Sequence, residues 1–526
     1  TVTSDDVNGD AVWTADTEYV LDGYVYVESG ETLTIEAGTV IRGLEEPTTG
    51  DPISALIVAQ DGKIYAEGTA HEPIVFTAEG DDVSDPNDMA VDDRGLWGGV
   101  VILGNAPTNE PTTPHIEGIP ESERTEYGGT DEEDDSGIFR YVSIRHGGQA
   151  IAPGNEINGL TFGGVGRQTT VEWVEVYNNQ DDCFEWFGGV VQTRFLVGGF
   201  CGDDSFDYDQ GFDGQGQYWF TIQSPEVGVG NRAGEHDGGD TEKTATPLAT
   251  PDIYNVTYLG GGVGNADPEN QAFAIRDNGA GHYNNSIFHD FGGNGLNVAD
   301  EGEEDSRERL ANGDLTFENN LWYGFGPGND WADIAGESWG ENYLANSANN
   351  NWNEDPMLRS ISRSTGSELD PRPQSGSPAL DVSKVKDVPM HTFYSQTNHL
   401  GAFGHTDWSA GWTFSSTSRT ATPIAESERA AELPEQVALE QNYPNPFNPT
   451  TNIQFELDRA RQVTLTVYDA LGQKVRVLVN GQTVPAGTHT ATFDASGLAS
   501  GVYYYRLSTG GRQTNHQITR KMLLIK

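Results

Sequence analysis

Positive charge is what this chain most lacks. Its 526 residues carry 29 Lys and Arg against 81 Asp and Glu, a net charge of −52, and only seven of the basic residues are lysines. A surface this acidic repels phosphates, so nucleic acid is excluded as a partner. It suits a cation-rich setting, either a salty medium or bound Ca²⁺. No stretch approaches the roughly 18 consecutive apolar residues of a membrane span, so no transmembrane segment is expected. The chain has two cysteines, Cys183 and Cys201, too few for a disulfide framework. One bridge, or a buried free pair, both fit that number. The opening "TVTSDDVNGD" has neither Met nor an apolar core, and reads as a mature form whose export signal is gone. Helical periodicity is absent too, so no α-helical fold competes.

What the chain does have is glycine, 65 residues of it, and short alternating runs. "FRYVSI" (139–144), "VEWVEV" (171–176), "TRFLVGG" (193–199), "IYNVTY" (253–258), "HYNNSIF" (282–288) and "FENNLW" (317–322) share one grammar, with Gly- and Asn-rich corners after several. "VYVESGETLTIEAGTVI" (25–41) resembles "LIVAQDGKIYAEGTAHEPIVF" (56–76). Short strands with frequent turns suggest a sandwich, a barrel or a solenoid. A repeat decides between them. In "QDDCFEWFGG" (180–189) and "GDDSFDYDQGFDG" (202–214), Asp181, Asp182 and Glu185 recur as Asp203, Asp204 and Asp207, each 22 residues on. Three short strands and three turns make one coil of about that length, and each coil buries its inward side chains only by stacking on its neighbours.

Charge divides the chain. From Val437 to Lys526 there are nine basic residues against five acidic, a net of +4, which leaves −56 on the other 436. "SSTSRTATPIAESERAAELPE" (415–435) has few large apolar residues and reads as a linker. The expected organisation is therefore an acidic body over 1–414, a flexible connector over 415–436 and a small domain over 437–526. The last shows about seven alternating strands with Asn-Gly and Pro-Ala-Gly turns, the pattern of a β-sandwich.

Two resemblances sharpen this. "GLWGGVVILGNAP", "FRYVSIRHGG", "EINGLTFGGVG", "DDCFEWFGG", "GQGQYWF" and "GSPALDVS…LGAFG…DWSAGWTF" resemble a family of exported right-handed parallel β-helix proteins found in Bacteroidota and related phyla. The likeness covers roughly residues 20–414 and implies an all-β solenoid, but no particular activity. "LEQNYPNPFNPTTNIQFEL" (439–457), "VTLTVYDALGQKVRVLV", "PAGTHTATFDASGLASGVYYYRL" and "RKMLLIK" resemble the type A sorting domain of the type IX secretion system, an immunoglobulin-like sandwich. That likeness implies handling by the type IX secretion machinery and a place outside a Gram-negative cell, at its outer surface or released.

If the 22-residue shift is one coil, Asp181 lies over Asp203, Asp182 over Asp204 and Glu185 over Asp207, with Phe184 stacked on Phe206 and Trp186 on Tyr208. Paired strands are about 4.8 Å apart. Two like charges at that spacing repel by roughly 3–4 kcal/mol at an effective dielectric of 20. Protons or a cation must offset that cost, unless the side chains splay into water. Ca²⁺ takes six to eight oxygens in irregular geometry, so Asp181, Asp182, Glu185, Asp203, Asp204 and Asp207 are candidate ligands. Asp209 and Asp213, close in sequence, are candidates to complete the shell.

The remaining acidic clusters weigh less. "GEHDGGD" (234–240) offers Glu235, His236, Asp237 and Asp240 as a further rung of the ridge, with His236 read as an ion-paired turn residue. Asp6, Asn8 and Asp10 have the spacing of an EF-hand start, but the sixth-position Gly is missing and Thr17 stands where an acid is needed. "DEEDDSG" (131–137) reads as a solvated loop. The aromatic run "DQGFDGQGQYWF" (209–220) reads as core packing before sugar stacking. A polysaccharide lyase or glycoside hydrolase on the same scaffold needs a base and a charge neutraliser, and Arg276, Asp277 and His282 in "AIRDNGAGHYNNS" (274–286) are its candidates. Basic residues are scarce and no nucleophile, base and oxyanion donors converge. The sequence therefore reads as a non-catalytic extracellular rod: a coat, an adhesin or a filament subunit, whose partners are glycans or, head to tail, other copies of itself.

Overall fold

The computed structural model describes the chain apart from residues 152–156, 240, 303–304, 364–368, 391–392, 418–437, 440, 441, 443, 458–460, 470–472, 485–486, 511–515 and 526. It divides into two compact units, Thr1–Ala421 and Thr422–Lys526.

The first unit is a parallel β-helix. One face is a nine-stranded sheet whose strands, from Tyr24–Val27 to Leu296–Val298, neighbour one another in chain order. Every pairing between them is parallel. The other two faces belong to one sixteen-stranded sheet, because the strands Gly137–Arg145, Thr170–Tyr177, Gln192–Gly199 and Gln215–Ile222 turn the corner between them without ending. The turn is made by one residue of each: Tyr141, Trp173, Phe195 and Tyr218 have φ of 48°, 55°, 59° and 62°. In the next three coils Asn255, Asn285 and Asn319 hold the same corner, at 57°, 55° and 59°.

Left-handed backbone costs an L-residue roughly 1–2 kcal/mol, least for Asn. The aromatic corners offset it by stacking, with ring centroids 4.9, 4.7 and 4.9 Å apart up the column. The asparagines instead donate Nδ2 to the carbonyls of His399, Lys386 and Lys384, at 2.9, 2.8 and 2.7 Å. The last part of the unit thus returns along this corner and covers it. It continues through the short helix Phe414–Thr417, so ordered body extends past 414. The rest of the expected connector, 418–436, lies outside the described residues.

Inward side chains form one continuous core, with Trp97, Trp186, Trp219 and Trp322 fully buried. Phe184 stacks on Phe206 at 5.4 Å as expected. Trp186 opposes Tyr208 in register, but its ring stacks on Phe162, its register neighbour one coil below, at 5.5 Å and on Trp219 of the sixteen-stranded sheet at 5.0 Å. Phe212, Trp219 and Phe220 are also buried, which makes the aromatic run core. Helices Trp331–Ile334 and Ser338–Leu344 lie at the final coil, bridged to it at Leu296↔Ala335 and bonded from Phe317 N to Tyr343 Oη at 3.1 Å.

Cys183 and Cys201 form a disulfide, with Cα atoms 5.7 Å apart and both residues buried. Closing an 18-residue separation restricts the unfolded chain by about 3 kcal/mol. Replacing both cysteines with serine should lower unfolding stability by that order. An unchanged denaturant midpoint would show that the bridge contributes nothing.

The second unit holds seven described strands in two antiparallel sheets, one of three strands and one of four. Leu439, Ile453, Phe455, Val463, Leu465, Tyr505 and Met522 are among the side chains of its own core. Among the described residues, no helix of either unit is long and apolar enough to cross a membrane.

Candidate metal centre

The nine-stranded face builds the acidic ridge. Strands Phe184–Phe187, Phe206–Asp209 and Arg232–Asp237 stack in parallel, pairing Glu185 with Asp207 and Asp207 with Glu235. Side chains alternate along a strand, so the aromatics between these acids enter the core and the acids line the outer side. Just before each strand a corner carboxylate ties the coils together. Asp182 Oδ1 accepts from Asp204 N at 2.8 Å, and Asp204 Oδ1 accepts from Arg232 N at 2.6 Å. The corner chain is thus fixed by its own aspartates.

Three overlapping groups result: Asp181 with Asp182 and Asp203, Asp182 with Glu185 and Asp207, and Asp204 with Asp207 and Glu235. Within each, one oxygen per residue lies within 4.8 Å of the others. Asp182, Glu185 and Asp204 are at most 8% exposed. Burial first, and neighbouring carboxylates second, push Asp182, Glu185 and Asp207 well above their ordinary range. Burial does the same to Asp204, with Glu235 adding to it. Asp203 is raised by burial, against a hydrogen bond from Asn231 Nδ2 at 2.6 Å.

The third group differs. Burial raises Glu235, yet a hydrogen bond from Asp204 and the charges of Arg232 and Arg276 outweigh it and hold Glu235 below its usual value. Arg232 Nη1 lies 3.1 Å from Glu235 Oε2. Arg276 pairs with Glu235 and with Asp237, the latter at 2.8 Å.

Of the eight expected ligands, six come together and two do not. Asp209 pairs in register with Phe187 at the far end of its strand, and its Oδ1 accepts from Gln210 N. Asp213 belongs to another corner, where Thr250 Oγ1 donates to it at 2.9 Å and Glu132 and Arg167 are its charged neighbours. Nearness in sequence misled there, because the chain leaves the face after Asp209. Glu235 completes the ridge in their place, as a further rung. The sequence did not single out Asn158, one coil below Asp182, whose Nδ2 donates to Glu185.

The other clusters resolve differently. His236 is a core residue, not a turn histidine. It is fully buried, lies 3.8 Å from the Tyr208 ring, and meets Tyr283 Oη at 2.6 Å through Nε2. Burial depresses it to about 3. Asp240 lies outside the described residues. Asp6 takes the N–H and hydroxyl of Thr3 at 2.9 and 3.0 Å and belongs to no cation-sized group among the described residues. The 131–137 loop is solvated in part: Asp131, Glu132 and Glu133 are exposed, while Asp134 is 9% exposed, raised by burial, and bonded by Asn105 Nδ2 at 3.0 Å.

The three lyase candidates do not converge. Arg276 is ion-paired on the nine-stranded sheet, Asp277 is paired with Lys243, and His282 lies on the sixteen-stranded sheet, 2.8 Å from Thr316 Oγ1.

Comparison with known proteins agrees with this fold. Residues 5–354 match the family model of a pectate-lyase-like β-helix domain. Residues 441–522 match that of a secretion-system C-terminal sorting domain. No curated protein and no solved structure matches the chain.

Proposed function

The chain belongs to the pectate-lyase-like β-helix domain family and ends in a secretion sorting domain, and from that premise we propose a non-catalytic structural or interaction protein of the cell exterior. The sorting domain implies export, by the type IX machinery, to the surface or the medium. The β-helix is then the delivered part: a rod with one acidic ridge, stabilised by Ca²⁺, acting as coat, adhesin or filament subunit. Self-association through the oppositely charged tail belongs to the same proposal.

The observation that carries this reading is where the basic side chains of both sheets of the β-helix go. Arg140 and Arg194 both close on Glu172, at 2.9 and 2.7 Å, while Arg232 and Arg276 close on Glu235. A lyase needs an unencumbered base beside a neutralised substrate carboxylate, and these guanidiniums are already spent on protein acids. Incubation with acidic and neutral glycans in the presence of Ca²⁺ is expected to yield neither unsaturated nor new reducing ends. Release of either would replace the proposal with an enzyme.

A further inference from the structure

The ridge is not uniform, and the difference lies in what opposes its charge. Around Glu235 the protein supplies two guanidiniums. Over the two coils below, the charges that bear most strongly on Asp182, Glu185 and Asp207 are all carboxylates. A buried carboxylate group whose strongest charged neighbours are all negative is costly, and the one guanidinium that reaches it, Arg276 toward Asp207, is itself paired with Glu235 and Asp237.

A second observation points to what belongs there. Asn158 is 1% exposed, and its Oδ1 is buried without any hydrogen-bond partner. The other terminal atom of that amide, Nδ2, lies against Glu185. A buried amide oxygen is almost always satisfied, and turning the amide over exchanges the two atoms. That turn would present the unpartnered oxygen to Glu185 and its neighbours, which is favourable when a cation lies between them or, in its absence, when Glu185 carries a proton to donate. Asp207 adds a second buried oxygen, Oδ1, with no hydrogen-bond partner. Three carboxylates and a neutral amide oxygen are the donor set of a hard divalent cation.

We infer that one divalent cation of the Ca²⁺ type seats among Asp182, Glu185, Asp207 and the amide oxygen of Asn158, and that Arg232 and Arg276 occupy the place of a second cation one coil above. This rests on the calcium reading and narrows it to one ion, four named ligands and a protein-supplied counterpart. The same ridge is neutralised twice, once by metal and once by arginine.

The test is calorimetric titration of the metal-stripped full chain with CaCl₂, in enough KCl to screen loosely held surface acids. The wild type should bind one tight equivalent. Asp207→Asn should abolish it, and Asn158→Leu should weaken it at least tenfold. Arg276→Gln should add a second tight equivalent, because the group of Asp204, Asp207 and Glu235 then has one guanidinium fewer. Far-UV circular dichroism checks that each variant folds; if Asp207→Asn does not, Asn158→Leu and Arg276→Gln decide. Full tight binding by Asp207→Asn or Asn158→Leu overturns the location while leaving the calcium reading intact. A single equivalent in Arg276→Gln overturns the arginine counterpart. No tight equivalent in the wild type overturns the calcium reading itself.

Discussion

Replacing Glu175 with alanine is expected to destabilise the β-helix by about 3–5 kcal/mol, the cost of leaving a buried charge without its partner. Glu175 is fully buried on the strand Thr170–Tyr177. Its carboxylate accepts from Ser143 Oγ at 2.7 Å, from Phe414 N at 2.7 Å, and from Ser415 N and Oγ at 2.8 and 2.7 Å. Arg145, 6% exposed, donates Nε to the same Ser143 hydroxyl at 2.9 Å, and its guanidinium covers the Phe414 ring at 4.5 Å. The carboxylate therefore holds the last described turn of the body and balances the one guanidinium behind it. Alanine would orphan two backbone N–H groups and remove the largest of the negative charges that bear on Arg145, leaving it those of Asp81 and Asp88. Glutamine keeps the shape but loses the charge and turns an NH₂ toward donors, so a smaller loss is expected. Denaturant unfolding of the two variants reads both values, and a loss under about 1 kcal/mol for alanine would refute the latch.

The second large effect concerns protons and cations at the ridge. Asp182, Glu185, Asp203, Asp204 and Asp207 are all raised, chiefly by burial. A carboxyl raised on folding holds its proton more tightly in the native state. Its contribution is fully present below the ordinary carboxylate range and is lost as pH rises through the raised values. Without metal, the body should therefore lose stability as pH rises above the ordinary carboxylate range of about 4. A cation replaces the protons and should remove that loss. His236 acts in the opposite sense: held near 3, its contribution is complete above about 6.5 and is lost as pH falls toward 3. The metal-free protein is thus expected to be most stable in mild acid. Ca²⁺ at about a thousand times its dissociation constant adds about 4 kcal/mol.

Much of this was legible in the sequence, and the rest failed for identifiable reasons. The matched acids read correctly because Phe184 pairs with Phe206 across a 22-residue step. The neighbouring coils carry insertions: Leu160 pairs with Phe184, Phe206 with Gly234 and Gly234 with Phe273. Those unequal steps hid Asn158 as the partner of the ridge. The six alternating runs were strands, but each contains a corner residue. Nothing local marks Tyr141, Trp173 or Phe195 as left-handed, since aromatics ordinarily favour extended backbone. Stacking on the next coil makes that conformation tolerable, and stacking is a property of the column. His236 was misread for a related reason. Flanked by acids in sequence, it alternates with them in space and points inward, between Tyr208 and Tyr283.

The central claim, a buried carboxylate ridge closed by a divalent cation, is tested most directly by thermal melting of the full chain with Ca²⁺ and with EDTA at pH 5 and pH 8. At pH 8 the β-helix transition should fall by about 5 °C or more when EDTA replaces Ca²⁺, and at pH 5 the gap should shrink. Equal midpoints in Ca²⁺ and EDTA at pH 8 would contradict the account.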